Sequence, residues 1–569
     1  MSMFDESTDF VVVGSGGGSM VAALVMRDAG RPVLILEKSG LVGGTTAKSG
    51  GVMWIPNNPF MARDGVPDSP EAAITYMDRV IGDGPDLPGT SPEKRRAYVR
   101  EAPLMLDFLI RHGIPFDRVP YWPDYFDEVE GSSIPGRTVV AAPYDLKQLG
   151  PWADRIRKGF LELPATLDEA LKLPWFKRSW AIKRLMLGIG LKAVAGRLTG
   201  KRWVSAGAAL QGRMLAAALK AGVDVRTDSP VLSLLVDDGA VIGVETVKDG
   251  KPWRVRATSG VLVNAGGFAQ NQAMRDRWQP GTRAEWSNAP EGDTGEMIQE
   301  MQRIGAALGQ MEEMVGYQTT PVPGFAESYI KPPVQSLTAK PHAILVDQSG
   351  VRYQNEGGSY AVFCRNMLER DRMVPAVPSW AVFDQDCIEQ YMVAGTMPGA
   401  KKPRKWLDEG YLKKGETIVA LAVQMGVPPA ALDSTVDRWN GFCAAGDDAD
   451  FGRGRRDYDR WLGDPFARGI ARSLGPIARA PFYAVPVVPG DVGTFGGVVT
   501  DARARVLASD GSVIPGLYAT GVSTASVMGR HYLGAGASIG PSFTFGWIAA
   551  RDAAGLIPRL DEKDSSSSA

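Results

Sequence analysis

At the head of the chain, the residues equipped for chemistry are a run of glycines and one acid. Gly14-Ser15-Gly16-Gly17-Gly18-Ser19 follow directly on four apolar residues, and Glu37 stands 23 residues after Gly14. Glycine lets the backbone turn tightly at 14 and approach a pyrophosphate at 16. A helix opening beyond them offers unpaired N–H groups and a partial positive charge to the phosphate. An acid at that distance is placed to accept hydrogen bonds from a ribose diol. Ser19 stands where the third glycine of a GxGxxG motif is usual, and it is small enough to keep helix and strand in contact. To position these groups the chain needs a strand over 10–13, a helix over 20–28 stopped at Gly30, and a second strand over 32–36 ending at Glu37. That is the opening half of a Rossmann-like nucleotide-binding fold.

A second cluster of small residues, Gly43-Gly44-Thr45-Thr46-Ala47-Lys48-Ser49-Gly50-Gly51, comes just after the acid. A plain nicotinamide domain has no need of it. A flavin ring must lie against bare backbone, so the pattern points to FAD. Two strands running into glycine turns lie far downstream, at 261–268 and 514–521. Both have the form of strand ends closing round a flavin. The expected fold is α/β, with a discontinuous Rossmann-like FAD-binding domain from 1–310 and 490–569. An inserted α+β catalytic domain is expected at 311–489, with the substrate pocket at the junction. The terminal DEKDSSSSA reads as a disordered tail.

Composition narrows the function classes. The 569 residues are 44% hydrophobic and 22% charged, the balance of an ordinary globular enzyme. Lys+Arg 63 against Asp+Glu 64 leaves no global basic field to recruit nucleic acid. Cys364, Cys387 and Cys443 are far apart, so neither a disulfide framework nor an iron–sulfur relay is expected. His112, His342 and His531 make no metal-binding spacing. The first residues lack the basic region and apolar run of a signal peptide, and no window reaches ~18 uncharged apolar residues. A cytoplasmic location is the expectation.

Four segments carry a resemblance: GGTTAxSGG at 43–51, NAGGF at 264–268, RYxNE at 352–356 and PGLYATG at 515–521. They resemble the fumarate reductase/succinate dehydrogenase flavoprotein superfamily. Within it the chain is most similar to the 3-ketosteroid Δ1-dehydrogenase family, over nearly its whole length. The resemblance implies FAD held by Gly14, Gly16, Gly17, Gly18, Ser19, Glu37, Lys38, Gly44, Thr45, Thr46, Ser49, Gly50, Gly51, Val231, Ala265, Gly266, Gly521, Ala537, Ser538 and Ile539.

It also implies four catalytic positions. His531-Tyr532-Leu533-Gly534-Ala535-Gly536 is similar to the steroid enzymes' Tyr-x-Gly-x-Gly turn. There the tyrosine hydroxyl and the last glycine's N–H hold the C3 carbonyl, and Gly536 would let a ketone oxygen come close to its amide. Tyr360 occupies the stretch where fumarate reductases carry a proton-donating arginine; none stands between Glu356 and Arg365. The resemblance makes Tyr360 the base, although Gly357 replaces a serine frequent in the family. Tyr353 is the nearby alternative, and its place after Arg352 reads as structural. Tyr125 resembles the tyrosine that hydrogen-bonds the base, with Tyr121 as its rival, and an aromatic loop packed on a core would account for the same residues.

The implied reaction is 1,2-dehydrogenation of a 3-ketosteroid. Tyr532 and the Gly536 amide polarise the C3 ketone, Tyr360 as phenolate takes the C2 proton, and the flavin takes hydride from C1. A hydrogen bond from Tyr125 is expected to lower the Tyr360 pKa, which is ordinarily ~10. A ketosteroid Δ4-dehydrogenase and a fumarate-type reductase are the alternatives. Reoxidation calls for an external acceptor such as a quinone. Finally, no acid occurs between Glu169 and Asp224, and 170–203 interleaves lysines and arginines with Trp175, Trp180, Leu187 and Leu191. The segment suits contact with an anionic membrane surface; a basic excursion packed on the flavin domain is the alternative.

Overall fold

The computed structural model describes residues 3–84, 87–324 and 335–557; the terminal DEKDSSSSA lies outside them. Phe10, Val11 and Val12 are fully buried, as a central strand covered on both faces requires. The strand starts earlier than its apolar run, spanning Glu6–Val13, because Glu6, Ser7 and Thr8 already pair with Val255, Arg256 and Ala257. The sheet runs in the order Arg505–Leu507, Val513–Ala519, Lys251–Val263, Glu6–Val13, Val33–Leu36, Asp224–Arg226. All pairings inside that order are parallel except the first. Strands Val231–Asp237 and Ala240–Lys248 extend it as an antiparallel meander off Lys251–Val263. This is the Rossmann-like sheet, built from segments at both ends of the chain.

The first helix spans Gly17–Asp28, three residues earlier than its apolar residues indicate. Its glycines face the helix Ile539–Ala553. A Cβ on Gly17 would lie 1.7 Å from the Phe543 ring, and one on Gly546 would lie 2.3 Å from the Gly18 carbonyl oxygen. Helix axes come this close only where side chains are missing.

Within 311–489 a four-stranded antiparallel sheet forms, in the order Ala343–Val346, Ser379–Phe383, Phe482–Val487, Lys413–Gly415. Alternate residues face opposite ways, as strand geometry dictates. Ile344 and Val382 pack with Trp439 and Leu421 on one face, and Leu345 and Phe383 with Phe363 and Met367 on the other. Short strands join this unit to the rest: Met314–Gly316 pairs with Asp491–Thr494, and Leu308–Gly309 with Gly497–Val498. A third sheet, Val52–Trp54 with Thr138–Ala141 and Phe116–Arg118, backs the loop at 532–536.

Candidate active site

The nucleotide half of the site is built round Gly14. Its φ is +92°, and a Cβ there would meet the Asn264 carbonyl oxygen at 2.4 Å, so the turn demands glycine. Glu37 is fixed by two serines: it accepts from the Ser15 N–H and hydroxyl at 3.1 and 2.5 Å and from the Ser39 N–H and hydroxyl at 2.9 and 3.0 Å. The Ser229 N–H donates to the Glu37 carbonyl, which brings Val231 to the same edge. The space that side chains at Gly17 and Gly18 would need is taken by Phe543 and Ser542 of a second helix. The Lys38 ammonium turns away to Glu296 and Thr294, 3.0 Å from each.

The second glycine cluster folds into a short helix, Gly44–Lys48. A Cβ on Gly44 would meet nothing within 4 Å, so its backbone faces open space. Thr45 and Thr46 are half-buried beside it. The Ser49 hydroxyl donates to the Thr46 carbonyl and accepts from the Gly51 N–H, which closes the loop. Gly50 abuts Leu167, and Gly51, at φ +64°, abuts the Ala206 backbone. The Ser523 hydroxyl accepts from the Ala265 N–H and donates to the Gly266 carbonyl. Gly521, at φ +65°, abuts the Asn264 side chain. Ala537, Ser538 and Ile539 form the start of the last helix.

These residues fit FAD. Helices Gly17–Asp28 and Ile539–Ala553 have N-termini with no side-chain cap and no acid in the first turn, the arrangement that receives an anion. The Gln211 amide, fully buried beside Gly43, has neither its oxygen nor its nitrogen partnered among the described residues. The sequence gives no sign of Gln211, one polar residue on the largely apolar helix Ala206–Lys220.

Five tyrosines from five separate segments form the other half. Ring centroids of Tyr125 and Tyr360 lie 5.4 Å apart, of Tyr360 and Tyr532 5.1 Å, of Tyr125 and Tyr458 4.3 Å, and of Tyr317 and Tyr360 5.5 Å. Tyr125, Tyr458 and Tyr532 are buried and Tyr360 is half-buried. Their hydroxyls interact in a row, Tyr532 to Tyr360 to Tyr125 to Tyr458. Tyr121, the rival of Tyr125, is 43% exposed and stands outside the cluster. Tyr353 is spent on Ser379, 2.9 Å away. Tyr458 and Tyr317 are additions that no spacing in the sequence announces.

Buried networks hold the pieces. The Leu533 carbonyl accepts from the Tyr125 N–H at 2.9 Å and the Tyr76 hydroxyl at 2.8 Å, tying the turn at 532–536 to the loop at 121–126. Next to Tyr125, Asp124 accepts from the Trp54 indole at 2.7 Å, the Arg137 guanidinium at 2.6 Å and the Ser133 N–H at 2.9 Å. The RYxNE segment is scaffold: Arg352 grips Glu356 through two N–H groups at 2.8 and 2.9 Å and also bonds Asp448, ahead of the helix Tyr360–Asp371. Asp127 accepts from the N–H groups of Asp457 and Tyr458 at 2.6 and 3.2 Å and so seats Tyr458.

Burial pushes the Tyr360 hydroxyl well above the usual phenol range, and the neighbouring Tyr125 and Tyr532 push it further. The hydroxyl contact with Tyr360 lowers Tyr125 against the rise that burial imposes on it. Burial raises Tyr532 too, but the Tyr360 hydroxyl and the N–H groups of Ser538 and Gly536 act on its oxygen and oppose that rise. Negative charge is therefore best tolerated at the Tyr532 end. At Gly536 φ is +92°, and a Cβ would strike the Val52 carbonyl oxygen at 2.4 Å, so the turn demands glycine. The strand Val52–Trp54 fills the space on the Cβ side of Gly536.

A family model described as FAD binding domain matches residues 9–539. A 3-oxosteroid 1-dehydrogenase of Mycolicibacterium smegmatis is 37% identical over 97% of this chain and 98% of its own. A 4-oxocyclohexanecarboxylate 2-dehydrogenase of Sinomonas cyclohexanicum is 32% identical over 99% of this chain and 95% of its own. A solved 3-ketosteroid delta1-dehydrogenase from Sterolibacterium denitrificans, in complex with 1,4-androstadiene-3,17-dione, superimposes with a TM-score of 0.90 at 32% identity, over 97% of this chain and 100% of that one. Sheet, glycine turns and relatives agree: the chain belongs to the FAD-binding flavoprotein family that includes the 3-oxosteroid 1-dehydrogenases, and it is an FAD-dependent oxidoreductase.

Proposed function

We propose that this chain dehydrogenates a 3-ketosteroid across C1 and C2. The observation that carries the reading is the convergence of Tyr360, Tyr125 and Tyr532 with the Gly536 amide in one aromatic cluster. A flat apolar substrate suits those walls. The Tyr532 hydroxyl and the Gly536 N–H hold the C3 ketone and stabilise the enolate oxygen that forms. Tyr360 takes the C2 proton. Because it is a neutral phenol at rest, its own proton leaves along the row through Tyr125 toward Tyr458. FAD, when bound, supplies the acceptor for the C1 hydride.

The test is dye-coupled oxidation of a 3-ketosteroid by the holoenzyme. Turnover that vanishes in Tyr360→Phe while flavin absorbance stays intact supports the assignment, and undiminished turnover in that variant removes it. Fumarate with a reduced viologen and a 4-oxocyclohexanecarboxylate are the comparison substrates. An external acceptor, a quinone in this proposal, takes the electrons onward.

The helix Trp180–Leu198 supports a peripheral membrane contact. Trp180, Leu187, Leu191, Val194 and Leu198 are exposed, Trp180 at 75% and Leu198 at 84%, while Ile189 and Gly196 face the protein. Leu187, Leu191, Val194 and Leu198 follow helical spacing down the outer face, with Arg184, Lys192 and Arg197 exposed among them. Apolar side chains beside cations match an anionic lipid surface. No described helix is long and apolar enough to cross a membrane.

A further inference from the structure

Lys94 is a buried cation beside the flavin half of the site that the reading above leaves without a task. It lies in the helix Pro92–Arg111 and is 2% exposed. Its ammonium donates to the Thr500 hydroxyl at 2.7 Å and stands 5.3 Å from the Phe545 ring centre. No carboxylate lies within ion-pair distance of it among the described residues. A buried ammonium with neutral partners only is costly, and proteins keep one where a counter-charge arrives. Burial lowers the Lys94 pKa to about 7, with Asp501 the carboxylate that opposes the fall.

The surroundings say where the counter-charge comes from. Lys94 lines a cavity with Gly521, Ala537, Ser538, Phe495 and Phe545. The first three are flavin-binding positions. Two features place the cavity toward the reacting end of the cofactor site: the Ser538 N–H acts on the Tyr532 oxygen, and Phe495 packs against Tyr532 with ring centres 6.4 Å apart. The phosphate-binding turn at Gly14 and Gly16 contributes no residue to it. A hydride carries two electrons and one proton. Added to a neutral oxidised flavin ring, it leaves that ring with one negative charge, while the substrate's other hydrogen departs as H⁺ to Tyr360.

We propose that the Lys94 ammonium, held by Thr500, is the counter-charge for the reduced, anionic flavin ring, and so sets the cofactor's redox potential. The inference rests on FAD as the cofactor and not on the identity of the substrate. Its test therefore uses no steroid, and a wrong substrate assignment leaves it intact.

Lys94→Met keeps the length of the side chain and removes its charge; Lys94→Arg keeps the charge. The midpoint potential of each FAD-loaded variant is measured by equilibration with a reference dye, and FAD dissociation constants are measured for the oxidised and reduced forms. Lys94→Met is expected to weaken the preference for reduced over oxidised FAD at least tenfold, about 30 mV for a two-electron couple. Lys94→Arg is expected to stay within threefold of the unaltered enzyme. Two results overturn the proposal: an unchanged potential in fully loaded Lys94→Met, or an equal loss of affinity for both redox forms, which marks a phosphate contact or a packing role. Should Lys94→Met fail to hold flavin, the unaltered holoenzyme still decides. It must bind reduced FAD at least tenfold more tightly than oxidised, and a preference for the oxidised form refutes the assignment.

Discussion

Tyr532→Phe removes one oxygen from the pocket and leaves its wall in place. That oxygen has three polar neighbours: the Tyr360 hydroxyl and the N–H groups of Ser538 and Gly536. Loss of one donor to an oxyanion costs about 10²–10³-fold in kcat. Here the two amides are released from the phenol and left to face the substrate ketone, which returns part of the loss. The expected fall is about 100-fold, or ~2.7 kcal/mol of transition-state stabilisation, with KM little changed. Tyr360→Phe removes the proton acceptor with no neighbour to replace it, and the expected loss is about 10⁴-fold. Since the two hydroxyls interact, the double variant should lose less than the product of the two single losses. The assay is dye-coupled turnover of a 3-ketosteroid together with single-turnover bleaching of the flavin. A Tyr532→Phe enzyme within threefold of the parent, or a double variant whose losses multiply in full, would refute the shared-oxyanion reasoning.

Other expectations concern the supports. Asp124→Ala strips the buried Arg137 of one carboxylate, leaving it Asp68 at 2.7 Å, and should cost about 3–5 kcal/mol in urea unfolding, with activity falling as Tyr125 loses its seat. Burial raises Asp293 to about 6 from an ordinary 3.8, so its ionisation costs the fold stability as pH rises from about 4 through 6. Asp293→Asn has no such cost: thermal melts should match the parent below pH 4 and exceed it above pH 6, by up to about 3 kcal/mol. On the outer helix, Leu187→Glu combined with Leu191→Glu should abolish sedimentation with phosphatidylglycerol vesicles. The unaltered protein should bind them in low salt and release in high salt; failure to bind in low salt removes the membrane contact.

The parts of this molecule legible in its sequence are those whose chemistry is local. Strand, glycine turn, helix and acid follow one another between Phe10 and Glu37, so hydropathy and spacing suffice. Tyr125, Tyr360 and Tyr532 were reached through segments similar to a family. Tyr458 and Tyr317 were not, because tertiary packing alone brings them beside the other three. Lys94 stands among the charged residues Glu93, Arg95 and Arg96, and Gln211 beside Arg213, so neither is marked out before the fold buries it. The glycines show a subtler limit. A missing Cβ at Gly17, Gly18 or Gly536 is visible in the sequence, but whether it admits a ligand, a helix or a strand depends on what the fold places there. The ionisation of Tyr360 is likewise a property of its burial and neighbours, which no motif encodes.

The glycine contact between the helices Gly17–Asp28 and Ile539–Ala553 also bears on how the enzyme is made. The phosphate-binding turn emerges from the ribosome among the first residues of the domain, yet the surface it leans on is among the last to be synthesised. Until then Gly17 and Gly18 expose bare backbone, and the strand Val513–Ala519 has not joined the sheet. A nascent chain thus has no completed cradle to load, and cofactor capture follows synthesis instead of guiding it.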